Sequence, residues 1–420
     1  MNGECGFNTR ILHSNNSGGY AQREILPPIS QVTAFEYESM EELERVFSHK
    51  SMGYAYTRIG NPTLSAFEQK INMLEGGAAA ICTGSGMAAI SSALLCVCKS
   101  GDEIIAGRGL YGGTIALLHD LEKLGIVTRF ADVLDKETIA ALANERTRAV
   151  FGEVISNPSL NVLDIRQAAD AAHEAGVPLI VDSTTATPYI VKPLSFGADI
   201  VIHSTSKYIN GGGNSIGGIV VDGGKYEWDF EKHSALYDFK KYGKRAFAIR
   251  LRTDIWENLG GCMAPMNAFL SHIGADTLGL RMERICENAD ALAHALDKED
   301  VEVNYLTLDS HPYHEYVKKQ LNGHGGGVLT FRAGSKERAF KIINSLKYAL
   351  IASNIGDVRT LVIHPASTLY MHVDETEANS AGVFDDTIRV SVGIEDKEDL
   401  IADFVDAVRS SRENALTGGS

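Results

Sequence analysis

A lysine flanked by hydroxyl side chains follows a short apolar segment near the middle of the chain. Residues 200–202 read Ile-Val-Ile, and His-Ser-Thr-Ser-Lys follows directly, ending at Lys207. The apolar run predicts a buried strand, so Lys207 is expected where that strand ends. Lysine is rarely buried without a partner. The position therefore indicates a ligand that uses an amine, with Ser204 and Ser206 beside it.

Two other predicted strand ends carry polar groups that could act with this lysine. Residues 83–87 read Thr-Gly-Ser-Gly-Met after the apolar segment 79–82 and begin a predicted helix, whose free N–H groups can bind an anion. Asp182 follows the apolar segment 179–181. Taken singly, the turn is more often an ordinary strand–helix connection, and a lone carboxylate is more often a cap or an ion-pair partner. The turn also lacks the third glycine and the downstream acidic residue of a dinucleotide-binding loop.

Taken together, these groups point to pyridoxal 5'-phosphate. An amine can bond to the aldehyde carbon of this cofactor, and a carboxylate can pair with its ring nitrogen. Hydroxyl and N–H groups at a helix N-terminus can hold its phosphate. Each element alone is weak, whereas the set favours this cofactor over an anion site of purely structural function.

Apolar runs that alternate with helical patterns predict the fold that supports these groups. The predicted strands are 79–82, 103–106, 149–155, 179–181, 200–202 and 219–221. Helical segments between them indicate βαβ units and a mostly parallel sheet with helices on both faces. We predict an N-terminal arm over 1–60, a large cofactor-binding domain over 61–255, and a third part over 256–420. That third part comprises a long connecting helix to about Leu296 and a smaller C-terminal α/β domain.

Composition excludes several classes of protein. The 420 residues carry a formal net charge of -15, which argues against nucleic-acid binding, because phosphate contacts need a basic surface. No apolar stretch is long enough to span a membrane, and the first residues lack a signal-peptide pattern. The six cysteines include no CxxC pair. Reduced thiols, no metal site and a cytoplasmic location are therefore predicted.

The sequence closely resembles the Cys/Met-metabolism family of pyridoxal-phosphate enzymes, from about residue 6 to residue 408. The resemblance implies fold type I, the aspartate-aminotransferase-like architecture, and a homotetramer built from two catalytic dimers. Within the family, the chain is most similar to the O-acetylhomoserine sulfhydrylase branch. The motifs that carry the resemblance are Tyr54-Ala-Tyr-Thr-Arg-Ile-Gly-Asn-Pro-Thr63, Ser85-Gly-Met87, Tyr111-Gly-Gly-Thr114, Val181-Asp-Ser-Thr184, His203-Ser-Thr-Ser-Lys207 and Arg389-Val-Ser-Val-Gly393.

The resemblance implies which residues hold the cofactor. Lys207 would form a Schiff base with it. Tyr56 and Arg58 would reach the phosphate of a neighbouring subunit, so the arm over 1–60 would complete that subunit's site. The phosphate shell within one subunit would consist of Ser85, Gly86, Met87, Ser204 and Ser206.

The same resemblance assigns the ring and the substrate to further residues. Asp182 would pair with the ring nitrogen, and Tyr111 would stack on the ring and move protons. Asn157 matches a position near the phenolic oxygen of the ring. Arg389 would bind the α-carboxylate of an amino-acid substrate through a bidentate contact, with Ser353 nearby.

The resemblance implies γ-replacement on an activated homoserine with sulfide or a thiol, with γ-elimination as the alternative. Gly113 counts against elimination of methionine, because methionine γ-lyases commonly have a cysteine there. This chain departs from typical sulfhydrylases in four segments, namely Asn210–Asn214, Leu369-Tyr370, Asp182-Ser-Thr-Thr185 and a shorter segment over 225–250. Another homoserine-like substrate therefore remains an alternative. A regulatory protein without turnover is disfavoured, since Lys207, Tyr111 and Arg389 are all present.

Overall fold

The computed structural model describes residues 6–13, 24–48 and 50–413. The strands in these ranges are β1 (Ala79–Thr83), β2 (Glu103–Gly107), β3 (Val127–Ala131), β4 (Thr147–Glu153), β5 (Leu179–Asp182), β6 (Ile200–His203), β7 (Gly218–Asp222), β8 (Glu302–Asn304), β9 (Val328–Arg332), β10 (Leu350–Ile351), β11 (Leu361–Ile363) and β12 (Thr387–Ser391). The α-helices are α1 (Phe7–Leu12), α2 (Met40–Phe47), α3 (Pro62–Glu75), α4 (Gly86–Val97), α5 (Gly112–Lys123), α6 (Lys136–Leu142), α7 (Ile165–Glu174), α8 (Thr187–Ile190), α9 (Ala246–Arg250), α10 (Glu257–Leu259), α11 (Pro265–Asp276), α12 (Leu278–Leu296), α13 (His314–Lys319), α14 (Lys336–Ser345), α15 (Glu375–Ser380) and α16 (Lys397–Glu413). Other helical turns are 3-10 segments at Pro193–Phe196, Ser234–Arg245 and Pro365–Ser367 and a π segment at Leu251–Trp256.

The large sheet confirms the predicted mostly parallel α/β architecture. Its strand order is β1-β7-β6-β5-β4-β2-β3, and only β7 runs antiparallel to its neighbours. The central strands are apolar and buried, as expected when helices cover both faces of a sheet. In such a sheet, ligands bind outside the carboxyl ends of the parallel strands. Five strands, β1, β2, β4, β5 and β6, bring those ends to one edge.

A smaller, mostly antiparallel sheet follows in the C-terminal part, with the order β10-β11-β12-β9-β8. Helices α14 and α16 pack together, and α14 also packs on β12. We propose domain boundaries near residues 60 and 255, which place each sheet in a unit of its own. No helix in the described part of the chain is long and apolar enough to cross a membrane.

The structure differs from the prediction in three elements. The arm contains helices α1 and α2. The predicted long helix is wrong, because Pro265 begins α11 and Thr277, with non-helical backbone angles, separates it from α12. The sequence analysis also missed β3, an edge strand whose central Arg129 pairs with Glu103 and interrupts the apolar pattern.

The break at Thr277 positions the segment that carries Lys207. Arg281 of α12 is buried and donates hydrogen bonds to the carbonyl oxygens of Tyr208 at 2.6 Å, Ile209 at 3.1 Å and Gly274 at 2.7 Å. These carbonyls follow Lys207 or close α11, and a guanidinium satisfies them better than an apolar residue could. Helices α11 and α12 therefore hold the segment that follows Lys207 in place.

Helix α11 also carries a buried histidine that should make the fold sensitive to acid. Neither ring nitrogen of His272 has a hydrogen-bond partner in the described ranges. Burial and the nearby Lys70 ammonium lower the pKa of His272 to about 3. An unfolded histidine has a pKa of about 6.5. Between these values only the unfolded chain binds the proton, so stability falls as the pH drops below about 6.5.

We expect His272→Leu to reduce this acid sensitivity. On moving from about pH 7.5 to about pH 5, wild type should lose about 2 kcal/mol of unfolding free energy that the variant retains. Urea unfolding at the two pH values measures the difference. His294→Leu is the control, because His294 is 49% exposed on α12. Equal acid losses in wild type and His272→Leu would contradict the prediction.

Candidate active site

A cavity of about 760 Å³ lies where the carboxyl ends of the large sheet meet a loop of the small sheet. Most of the predicted site residues line this cavity, although they are far apart in sequence. The lining includes Ser85, Gly86, Met87, Tyr111, Asn157, Asp182, Ser204, Ser206, Lys207, Ser353 and Arg389. The fold thus brings together eleven of the thirteen predicted residues, and Tyr56 and Arg58 lie outside the cavity wall.

One end of the cavity is built from the N-terminus of α4 and the loop after β6. Ser85 caps the helix, since its Oγ accepts the N–H of Ala88 at 3.1 Å. A Cβ at Gly86 would lie 2.6 Å from Cβ and 3.0 Å from Cα of Ser204, so only glycine allows this approach. The Ser206 hydroxyl donates to the Gly217 carbonyl at 3.1 Å. The result is a compact cradle of hydroxyl and N–H groups with the geometry of an anion site.

Lys207 points into the cavity from the turn that follows β6. Burial, and then the positive charge of Arg389, lower the pKa of its ammonium group. Its Nζ donates a hydrogen bond to Oδ1 of Asn354 at 2.6 Å. A lysine with a lowered pKa has more of the neutral amine that acts as nucleophile or base.

Arg389 of β12 faces the same cavity and lacks an anionic partner. Its side chain is 3% exposed, and burial lowers its pKa to about 10. Nη2 donates to the carbonyl of Asn354 at 3.0 Å, whereas Nε is buried without a hydrogen bond. No carboxylate of the described residues forms an ion pair with it. A buried, partly unsatisfied guanidinium at a cavity wall is suited to binding a carboxylate ligand.

A pair of carboxyl groups lies across the cavity from these cations. Asp182 ends β5, Glu153 ends β4, and the two are directly paired in the parallel ladder. Burial raises the pKa of Asp182, while the N–H and hydroxyl groups of Thr184 oppose this shift. Burial and the adjacent Asp182 raise the pKa of Glu153 well above its ordinary value. Burial therefore favours the protonated form of both carboxyl groups, whereas the hydrogen bonds from Thr184 favour the charged form of Asp182.

Tyr56 and Arg58 lie on the surface of this subunit. Arg58 donates to the carbonyl of Glu257 at 2.6 Å, and its guanidinium is 5.5 Å from the ring centre of Tyr56. Both residues lie in the last part of the arm. Neither is among the described residues that line the cavity, so the contribution to a neighbouring subunit remains a prediction.

Two residues of the site were missed in the sequence analysis, Asn354 and Glu153. Ser353 was named instead of Asn354, although the side chain of Asn354 contacts Lys207 and its carbonyl contacts Arg389. Glu153 ends a strand whose interior is apolar, and this position was a detectable signal. A lone amide in a loop has no comparable local signature, because its function depends on tertiary contacts.

The residues of the cavity fit pyridoxal 5'-phosphate. The cradle at Gly86 fits a phosphate, Asp182 fits a cationic ring nitrogen, and Lys207 supplies the amine. Two buried polar atoms, Oδ1 of Asn157 and Nε of Arg389, have no partner within the described part of the molecule. Such atoms are uncommon in native proteins unless a ligand or water satisfies them.

Comparison with known proteins agrees with this chemistry. Residues 8–409 match the family model for Cys/Met metabolism PLP-dependent enzymes. The chain belongs to this family. The family uses pyridoxal 5'-phosphate, so the cofactor predicted from the strand ends is confirmed.

Similar proteins extend over nearly the whole chain. A homocysteine synthase of Schizosaccharomyces pombe is 41% identical, covering 96% of this chain and 98% of that protein. An O-acetyl-L-homoserine sulfhydrylase of Corynebacterium glutamicum is 40% identical, covering 95% of this chain and 96% of that protein. A crystal structure described as an O-acetylhomoserine (thiol)-lyase of Campylobacter jejuni, which contains a pyridoxyl-lysine phosphate, has a TM-score of 0.91 and 34% identity, covering 96% of this chain and 100% of that chain. The type I fold of this family member is thereby confirmed.

We expect Gly86→Ala to weaken cofactor binding by about tenfold or more. Displacement of the backbone needs to cost only about 1.4 kcal/mol of binding free energy for a tenfold effect. The added methyl group would collide with Ser204. Titration of the apoprotein with pyridoxal 5'-phosphate, followed by visible absorption, gives the dissociation constant. Gly112→Ala is the control, since a Cβ there meets no atom within 4 Å. An unchanged dissociation constant in Gly86→Ala would refute the assignment of the cradle.

Proposed function

We propose that this enzyme catalyses γ-replacement on O-acetylhomoserine. With sulfide the products are homocysteine and acetate, and with a thiol the product is a methionine-type thioether. The similarity to a homocysteine synthase and to an O-acetyl-L-homoserine sulfhydrylase supports the product and the acyl donor. The substrate would be a small amino acid, and sulfur would bond to Cγ after the Cγ–O bond has broken and acetate has left.

The charge of the cavity is the observation that carries the proposal. The cations that line it are Lys207 and Arg389. Lys207 would bond to the cofactor, and Arg389 would pair with the α-carboxylate of the substrate. Among the described lining residues no third cation is left for a charged acyl group. A neutral acetyl ester therefore suits the cavity better than a succinyl or phosphoryl ester, whose charge would be buried unpaired.

Each side chain of the site would have a separate function in the reaction. When bound, pyridoxal 5'-phosphate supplies an electron-withdrawing ring that stabilises negative charge developing on the carbon atoms of the substrate. Arg389 would fix the carboxylate and so present the Cα proton to Nζ of Lys207, which would accept it. Asn354, 2.6 Å from Nζ, would hold the lysine in reach as it moves protons between Cα and Cβ. Asp182 would keep its negative charge beside the ring nitrogen, and Tyr111 would cover the ring.

The wall on the substrate side is largely apolar. Ile90, Ile216 and Leu369 line it together with the unusual loop residue Asn214. Apolar side chains favour a thiol nucleophile over water, because they offer water few hydrogen-bond partners. This arrangement supports replacement over hydrolysis. Of the departing segments, Gly213, Asn214 and Leu369 line the cavity, where the nucleophile or the acyl group would contact them.

A side-by-side assay tests the proposal. O-acetylhomoserine with sulfide should give homocysteine faster than methionine or cystathionine gives 2-oxobutyrate. O-succinylhomoserine should show a kcat/KM lower by about tenfold or more, since an unpaired charge costs at least about 1.4 kcal/mol. Chromatography of the thiol product and a coupled assay for 2-oxobutyrate measure the two outcomes. Dominant release of 2-oxobutyrate would instead establish γ-elimination as the reaction.

We also propose a homotetramer in which Tyr56 and Arg58 complete the site of a neighbouring copy. The large apolar side chains of Met40, Phe47 and Met52 near them are 72%, 57% and 101% exposed, which suits a subunit interface. A cytoplasmic location is proposed as well. It is supported by the described cysteines, which are all free thiols.

A further inference from the structure

The carboxyl group of Glu153 lies among residues that reach the cavity from the ends of three strands, β2, β4 and β5. Oε1 of Glu153 accepts the backbone N–H of Tyr111 at 2.7 Å. The backbone N–H of Asn157 also lowers the pKa of the Glu153 carboxyl, since it lies close to that group. Asp182 is its direct neighbour across the β4–β5 pair, so the two side chains leave the sheet on the same face. Glu153 therefore lies beside three residues that are predicted to contact the cofactor, namely Tyr111, Asn157 and Asp182.

Tyr111 depends on this contact because its own segment restrains it weakly. It stands at the N-cap of α5, where its side chain makes no capping hydrogen bond. Two glycines follow it, and its side chain is 41% exposed in the cavity. Glycines leave the backbone more freedom than other residues do. The bond from the Tyr111 N–H to Glu153 thus fixes the point from which the ring extends.

We propose that Glu153 is a positioning residue of this active site, which sets the location of Tyr111 through its backbone N–H group. This inference rests on the proposed function only in that Tyr111 is taken to cover the cofactor ring. Glu153 itself would contact neither substrate nor cofactor.

The charge state of the pair indicates how Glu153 does this. Burial and Asp182 raise the pKa of Glu153 well above its ordinary value, which favours the protonated carboxyl. A neutral carboxyl still accepts N–H bonds through its carbonyl oxygen. Asp182 in turn accepts the N–H of Thr184 at 2.8 Å, which favours its charged form. An uncharged side chain of equal length should therefore retain the positioning function of Glu153, whereas a shorter side chain should lose it.

Three substitutions at one position test this. Glu153→Ala removes the acceptor, Glu153→Asp shortens it by one methylene, and Glu153→Gln keeps a neutral acceptor at the same length. Glu145→Ala, an exposed glutamate, is the matched control. The readouts are kcat and KM of the holoenzyme and the visible circular dichroism of the bound cofactor before substrate is added.

We expect Glu153→Ala and Glu153→Asp to lower kcat by about 100-fold, in the range of a lost proton-transfer group, with KM changed far less. The visible circular dichroism should change in both. Glu153→Gln should restore most of kcat and the wild-type dichroism, and Glu145→Ala should match wild type. If Glu153→Ala fails to fold, Glu153→Asp against Glu153→Gln decides the question.

Two results would overturn the inference. One is wild-type kcat and dichroism in Glu153→Asp or Glu153→Ala. The other is a Glu153→Gln variant as impaired as Glu153→Asp, since the negative charge would then be what matters. The dichroism precedes turnover and does not depend on which substrate reacts. If the γ-replacement assay fails but the dichroism follows the expected order, the proposed function is wrong and the positioning inference stands.

Discussion

The site depends on two buried cations that the protein does not neutralise. Lys207 and Arg389 face one cavity, and burial lowers the pKa of each, while the positive charge of Arg389 lowers that of Lys207 further. Burying an unpaired charge costs several kcal/mol unless a ligand or hydrogen bonds offset it. Asn354 offsets part of this cost, because it accepts a hydrogen bond from each cation. The remainder makes the cavity a favourable place for an aldehyde cofactor and a carboxylate substrate.

The fold supplies this arrangement through the edge of the parallel sheet. Each strand end adds one group to the same edge, namely the cradle after β1, Tyr111 after β2, Glu153 and Asp182 at the ends of β4 and β5, and Lys207 after β6. The small sheet then places Arg389 opposite. Arg281 and the break between α11 and α12 support the lysine turn. Opposite charges are thereby held on separate elements, and so the site is ordered before any ligand binds.

Much of this could be predicted from the sequence, because strand ends are readable as the residues that follow apolar runs. Lys207, Asp182 and Ser85–Met87 were found in that way, and the family resemblance added Tyr111 and Arg389. Asn354 could not be found from a pattern, since its function arises from contacts with residues 147 and 35 positions away. The helix from 255 to 296 was predicted as continuous because apolar periodicity persists across Thr277, where the backbone nevertheless breaks.

The central claim is that Lys207 is the residue to which the cofactor is bonded. Borohydride reduction of the holoenzyme, followed by proteolysis and mass spectrometry of the peptides, tests it directly. The account predicts a pyridoxyl phosphate adduct on the peptide that contains Lys207, loss of the visible band on reduction, and neither result in Lys207→Ala. An adduct on another lysine, or a protein that binds the cofactor without any adduct, would contradict the account.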